Sequence, residues 1–250
     1  MPDDDREPVI NDFGAIADIY DELVDWAPYA RWIADLEPRL VRHGLAPGAR
    51  ILDAACGTGL STLPWLERGY RVTATDGSPP MLERARRRIR DAGHNAPLLH
   101  RDLLHLDFHA EFDMALCMHS GLDYLLETAD LAAAFRSLRG CLVAGGLLAF
   151  DKCLDEPAFY REDYGNMRRL SCGAADFDYH WDREHGMLVQ RCTVIRRDGS
   201  LPMRSEFVYC LKATPPDELR AMVEAAGFRE LEPLKQFTVL DPGIGIFRAV

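Results

Sequence analysis

Between Ile51 and Phe150 short apolar runs alternate with amphipathic stretches, and this alternation limits the possible folds more than any other feature of the chain. Runs apolar on both faces suit strands buried in a parallel sheet, and the stretches between them suit the helical crossovers that such a sheet needs. The pattern predicts strands over residues 50–54, 71–75, 97–100, 112–118 and 146–150. It predicts helices over 60–68, 81–92 and 124–129, the last leading into 130–142, each with apolar residues three or four apart. Right-handed crossovers then put helices on both faces.

Ahead of this unit, residues 14–43 read as two helices forming a lid or a flank, with Ile16, Ile19, Tyr20 and Leu23 on one face and Trp32, Ile33, Leu36 and Leu40 on the next. After Phe150 the period changes. Three stretches rich in β-branched and aromatic residues (175–181, 188–195 and 204–211), with turns at 182–186 and 197–200, predict an inserted antiparallel meander. The α/β rhythm returns with a helix start at 214–218, where prolines suit the first turn, and Gly227 closes that helix. Strands near 229–239 and 244–250 complete the count. The 250 residues therefore divide into a helical lid (1–45), a sheet domain (46–154 and 213–250) and an inserted β segment (155–212) that covers the substrate.

The most informative stretch is Ile51-Leu52-Asp53-Ala54-Ala55-Cys56-Gly57-Thr58-Gly59. An apolar strand runs into a Gly-x-Gly turn and then a helix, so backbone can approach a ligand closely and free N–H groups face it. Seventeen residues past Gly59 the next apolar run ends in Asp76, where a carboxylate at a strand's C-terminal end can accept hydrogen bonds from ribose hydroxyls. A nicotinamide fingerprint would place a third glycine where this chain has Thr62, and its pyrophosphate has no use for Asp53 beside the turn. An acid beside the turn, amides within it and an acid on the next strand complement an ammonium, a carboxylate and a ribose diol instead.

In these residues the chain resembles the class I S-adenosylmethionine-dependent methyltransferases. Leu52 to Gly59 is similar to that family's first motif, Asp76 with Ser78-Pro79-Pro80-Met81-Leu82 to its second, and Arg101-Asp102-Leu103 to the segment that meets adenine. Phe112 to Met118 and Leu142 to Leu148 resemble its fourth strand and the turn into its fifth. The resemblance implies an α/β, doubly wound, Rossmann-like and mostly parallel seven-stranded sheet. It also implies S-adenosylmethionine as cofactor, held by Asp53, Ala55, Gly57, Gly59, Asp76, Gly77, Met81, Asp102, Leu103 and Met118. Residues 17–23 and 26–32 resemble the leading helices of a bacterial subgroup acting on small molecules, which includes amino-sugar and natural-product N-methyltransferases. Within it Tyr20 would face the sulfonium and close the pocket; the alternative is a core residue of an amphipathic helix.

Methyl transfer from a sulfonium is an in-line displacement that needs positioning in a dry enclosure more than strong catalytic groups. The loop after the fourth strand offers His119 as a general base, or as a group that only hydrogen-bonds the cofactor or a backbone carbonyl. Acceptor-binding candidates are Tyr20, Asp123, Tyr124, Asp151, which could equally cap the following loop, and the Phe177/Tyr179/Trp181 stripe, which shares one strand face and either packs the meander or roofs the cofactor cleft. Phe159, Tyr160 and Tyr164 add further rings to the insertion. The acceptor expected is a small molecule, most simply an amine. O-methylation of a hydroxylated metabolite and non-catalytic cofactor binding are the alternatives.

A net charge of −11 (29 Lys and Arg against 40 Asp and Glu) disfavours nucleic acid and anionic membranes as partners. Seven cysteines without a CxxC pair read as reduced thiols, and the histidines other than His119 fall at no metal-ligand spacing, so no metal is expected. With no basic, apolar leader at Met1, the chain reads as cytoplasmic.

Overall fold

The computed structural model describes residues 10–156, 167–197, 199, 202–235 and 243–250. At its centre lies a seven-stranded sheet in the spatial order β10 (Phe228–Glu232), β11 (Gly245–Ala249), β5 (Leu142–Phe150), β4 (Phe112–Cys117), β1 (Arg50–Ala54), β2 (Arg71–Asp76) and β3 (Leu98–His100). The strands from β5 to β3 are parallel, and β11 is antiparallel to both of its neighbours. This is the doubly wound, mostly parallel α/β sheet that the alternation implied.

Alternate residues of the central strands separate two cores. Ile51, Met114, Leu116, Leu147 and Ala149 lie against Trp32, Ile33, Leu36 and Leu40 of α2 (Tyr29–Arg42). Their sequence neighbours Leu52, Ala115 and Leu148 lie with Phe150 against α5 (Thr128–Cys141) and α6 (Pro216–Ala225). Burial on both faces is why these strands read as continuous apolar runs. Each buried Leu or Ile contributes about 1.5–3 kcal/mol. The crossovers after β1 and β2 are α3 (Thr62–Glu67) and α4 (Pro79–Asp91). Among the described residues no helix is long and apolar enough to cross a membrane.

A second sheet, antiparallel throughout, follows the order β6 (Met167–Leu170), β7 (Gly173–Asp182), β8 (Met187–Arg196) and β9 (Met203–Lys212). Its inner face, including Phe177, Cys192, Tyr209 and Leu211, packs on Ile16, Ile19 and Leu23 of the N-terminal segment and on Met81 of α4. Asn11 fastens that segment to the edge of β9, accepting from Cys210 N at 2.8 Å and donating to Cys210 O at 3.3 Å.

Several elements depart from the sequence pattern. The meander has a fourth strand, β6. β5 starts at Leu142, directly after α5, because Gly145 takes φ +77° and the pairing with β4 shifts register between Phe112 and Met114. The helix expected at 124–129 is replaced by a loop that lasts until α5 begins at Thr128, and its backbone is held from outside: Lys212 N donates to Asp123 O at 2.8 Å. Residues 14–23 form only a 3-10 turn (Gly14–Ile16) and the four-residue α1 (Tyr20–Leu23). β10 ends at Glu232, and 236–239 of the strand expected there lie outside the described residues, as do Phe159, Tyr160, Tyr164, Asp198, Ser200 and residues 1–9.

Candidate active site

Beyond the C-terminal ends of β1, β2 and β4, where open α/β sheets bind ligands, the described residues enclose a cavity of about 840 Å³. Backbone strain gathers on its wall. Ala55 at the end of β1 and His119 after β4 have φ of +57° and +61°, and Ser120, just behind the wall, +65°, values that L residues hold only where surrounding contacts fix them.

The glycine turn is braced from β2. Gly57 N donates to Asp76 Oδ2 at 2.8 Å and Ser78 N to Asp76 Oδ1 at 2.8 Å. Each carboxylate oxygen keeps a further lone pair. Burial raises the Asp76 pKa against these two amides, which favour the charged form. Gly57 takes φ +54°, and a Cβ built there meets no protein atom within 4 Å, so it would project into the open space the residue lines. Gly59 is closed instead: its Cβ would lie 3.2 Å from that of Ala85, so the glycine lets the turn pack on α4. Thr58 ties the turn to the N-terminal segment, its hydroxyl donating to Asp21 Oδ1 at 2.6 Å while Arg88 pairs with Asp21 Oδ2.

Asp53 lies behind this wall, 1% exposed, with Oδ2 accepting from Ser61 Oγ (2.8 Å) and Thr62 Oγ1 (2.6 Å). Its Oδ1 is buried without a partner, and burial lifts the pKa to about 6.

At the opposite end His119 sits in an aromatic cage, its ring centroid 5.3 Å from that of Tyr29, 5.6 Å from Trp26 and 5.9 Å from Trp32. The Tyr29 hydroxyl lies 2.5 Å from His119 Nδ1 and that of Tyr20 3.4 Å from it. Burial holds the imidazole neutral, with a pKa of about 4, and pushes both phenols above their ordinary range. A neutral imidazole and a protonated phenol can each donate or accept, so the Tyr29 hydroxyl occupies Nδ1 in either tautomer.

Of the residues singled out from sequence, Ala55, Gly57, Asp76, Gly77, Met81, Asp102, Leu103 and Met118 line the cavity, as do Tyr20, His119 and Tyr124. Asp53, Gly59, Asp123, Asp151, Phe177, Tyr179 and Trp181 are not on its described wall. Phe177, Tyr179 and Trp181 do share the inner face of β7, but that face packs on the N-terminal segment, with Phe177 stacked on Tyr179 at 6.1 Å. Asp123 and Asp151 work beneath the loop after β4: Asp123 Oδ1 pairs with Lys152 Nζ at 2.8 Å, and Asp151 Oδ2 accepts from Ser120 N at 2.7 Å. Sequence reasoning missed Tyr29, Phe13 and Gly121, which line the cavity. Gly121 carries a signal only in three dimensions, since its Cβ would come within 2.7 Å of Cys117 Sγ.

Two predictions arise here. Asp76→Ala should weaken cofactor binding by about 1.5–3 kcal/mol, the scale of charge-assisted hydrogen bonds, read as a dissociation constant by calorimetry; an unchanged constant removes Asp76 from the site. Burial and the neighbouring Asp123 raise the Asp151 pKa to about 7. A carboxyl with a folded-state pKa above its unfolded value near 3.8 contributes stability at acid pH that is lost as pH rises from about 4 through 7. Asp151→Asn should therefore raise the melting temperature relative to wild type at pH 8 and not at pH 4; an equal shift at both contradicts it.

Residues 51–146 match a protein family described as a methyltransferase domain. The putative methyltransferase YqeM of Bacillus subtilis is 33% identical over 235 residues, covering 92% of each chain. A glycine/sarcosine N-methyltransferase of Parasynechococcus marenigrum is 32% identical over 170 residues, 65% of this chain and 58% of that protein. Among solved structures, an S-adenosylmethionine-dependent methyltransferase of Clostridium acetobutylicum superposes with a TM-score of 0.76 at 19% identity, covering 96% of this chain and 99% of the other. S-adenosylmethionine-bound CalS10, an amino pentose methyltransferase of Micromonospora echinaspora, gives 0.67 at 20% identity over 92% and 96%. The cavity fits that cofactor on its own terms: open space above Gly57 and a braced carboxylate at Asp76. The chain belongs to the class I S-adenosylmethionine-dependent methyltransferases.

Proposed function

We propose that this enzyme methylates the nitrogen of a small-molecule amine. The observation that carries the reading is the state of His119: neutral, with a pKa of about 4 and with Nδ1 occupied by Tyr29, it is a poor base for a hydroxyl. A free amine needs no base before attack, because its lone pair is the nucleophile and its proton leaves to water after the methyl group arrives. The charge on the wall supports the same acceptor. Asp12, Asp76 and Asp102 line the cavity, and no Lys or Arg does so among the described residues, so a cationic amine is drawn in. The aromatic faces of Tyr20 and Tyr29 favour it further. The relative named a glycine/sarcosine N-methyltransferase is consistent with nitrogen as acceptor.

S-adenosylmethionine supplies an activated methyl group. In this reading Asp76 binds the ribose, the amides of the glycine turn meet the amino-acid end with Asp53 holding Ser61 and Thr62 behind them, and Asp102 and Leu103 flank the adenine. Tyr20 closes the pocket, and His119 orients the acceptor. Enclosure by Tyr20, Tyr29, Met118 and Tyr124 keeps water from the methyl group. The N-terminal segment acts as lid over a cofactor-binding domain at 46–154 and 213–250, and the second sheet backs that lid from outside the cavity.

A panel of amines, amino sugars, amino acids and phenols, followed by release of S-adenosylhomocysteine, tests the proposal. Amines should turn over, with kcat/KM rising with pH as the free-base fraction grows; turnover confined to phenols would sink it.

A further inference from the structure

The loop over residues 118–127 carries Met118, His119, Gly121, Tyr124 and Leu125 to the cavity, yet two of its residues hold left-handed backbone angles. Such a loop keeps one shape only where surrounding contacts fix it. The Asp151 carboxylate takes the Ser120 amide. Three residues further on lies a salt bridge withdrawn from solvent: Lys152 Nζ and Asp123 Oδ1 are 2.8 Å apart, with side-chain exposures of 0% and 2%. Lys152 Nζ also donates to Lys212 O, and Asp123 Oδ1 accepts from Cys153 N at 2.9 Å. Three chain segments therefore converge on one ammonium: the loop after β4, the residues after β5 and the end of β9. A buried ion pair adds little stability over apolar residues of the same size, and its best-attested use is to select one arrangement.

We infer that Lys152 is a positioning residue: its ammonium pins the 118–127 loop to β9 and so fixes where His119 and Tyr124 face the acceptor. Lys152 acts from beneath and touches neither cofactor nor reacting atoms. The inference rests on the proposed division of the cavity, with cofactor at the β1 and β2 turns and acceptor at the loop after β4.

The test compares Lys152→Met with the double variant Asp123→Asn/Lys152→Met, which leaves no lone buried charge and keeps a carbonyl for Cys153 N. S-adenosylhomocysteine is the cofactor probe, by calorimetry. Its dissociation constant should stay within about threefold of wild type, because the glycine turn and Asp76 are untouched. Amide exchange at Ser120 should quicken by about tenfold or more, and the His119 pKa, followed by NMR, should rise from about 4 towards the ordinary imidazole range as water reaches the ring. Turnover of the best amine should fall about tenfold through kcat, because Tyr124 shifts together with His119. If Lys152→Met does not fold, the double variant gives the same readings. A folded variant with wild-type Ser120 exchange and His119 titration overturns the inference, as does a cofactor constant that weakens in parallel with turnover. An absence of amine turnover in the wild type would defeat the proposed function alone, since exchange and titration still score Lys152.

Discussion

A Gly57→Ala protein is expected to bind S-adenosylmethionine about 10² to 10³-fold more weakly than wild type. Two effects separate: at φ +54° any L residue is strained by about 1–2 kcal/mol, which lowers stability, whereas the new methyl group occupies space on the cavity wall that the protein leaves open, which costs binding. Gly69 is the control. It takes φ +82° with nothing within 4 Å of its Cβ and lies away from the cavity, so Gly69→Ala should lower stability without changing the dissociation constant. Calorimetry on both variants reads the difference, and wild-type affinity in Gly57→Ala would put the cradle elsewhere.

The second large effect divides the acceptor classes. His119→Ala should cost an amine acceptor less than about tenfold at raised pH, where free base is abundant, but about 10² to 10⁴ for a hydroxyl that relies on proton removal. Its neutral, weakly basic imidazole and its hydrogen bond with Tyr29 predict the first pattern. Rates measured across pH for both classes decide it, and collapse of amine turnover at all pH values would make His119 a required base.

The sheet was legible because parallel strands are apolar throughout and their crossovers are amphipathic, so Ile51 to Ala54 and Phe112 to Cys117 stand out without any tertiary knowledge. The cofactor half of the site was legible for a related reason: Gly57 and Asp76 lie at strand ends, where local sequence dictates position. The acceptor half depends on long-range partners. Tyr124 reads as the start of a helix, yet the neighbouring Asp123 backbone is claimed by Lys212 from β9, and the helix waits until Thr128. The Phe177/Tyr179/Trp181 stripe reads correctly as one face, but its neighbour is the N-terminal segment, a fact held in Ile16, Ile19 and Leu23. Asp123 reads in sequence as an acceptor-binding carboxylate and Asp151 as one or as a loop cap, and both sit beneath the loop after β4 because Lys152 and Ser120 reach them first. Tyr29 lay within a stretch already compared with the family's leading helices, and only its approach to His119 marks it out.

The central claim, methyl transfer to nitrogen in the cavity between the glycine turn and His119, is tested most directly by the position of a transferred label. The enzyme is incubated with S-adenosylmethionine carrying an isotopically labelled methyl group and each acceptor that turns over, and the product is fragmented by mass spectrometry. The account predicts the label on the acceptor's nitrogen, with transfer reduced in Gly57→Ala in proportion to its loss of cofactor binding; a label found only on oxygen or carbon would contradict it.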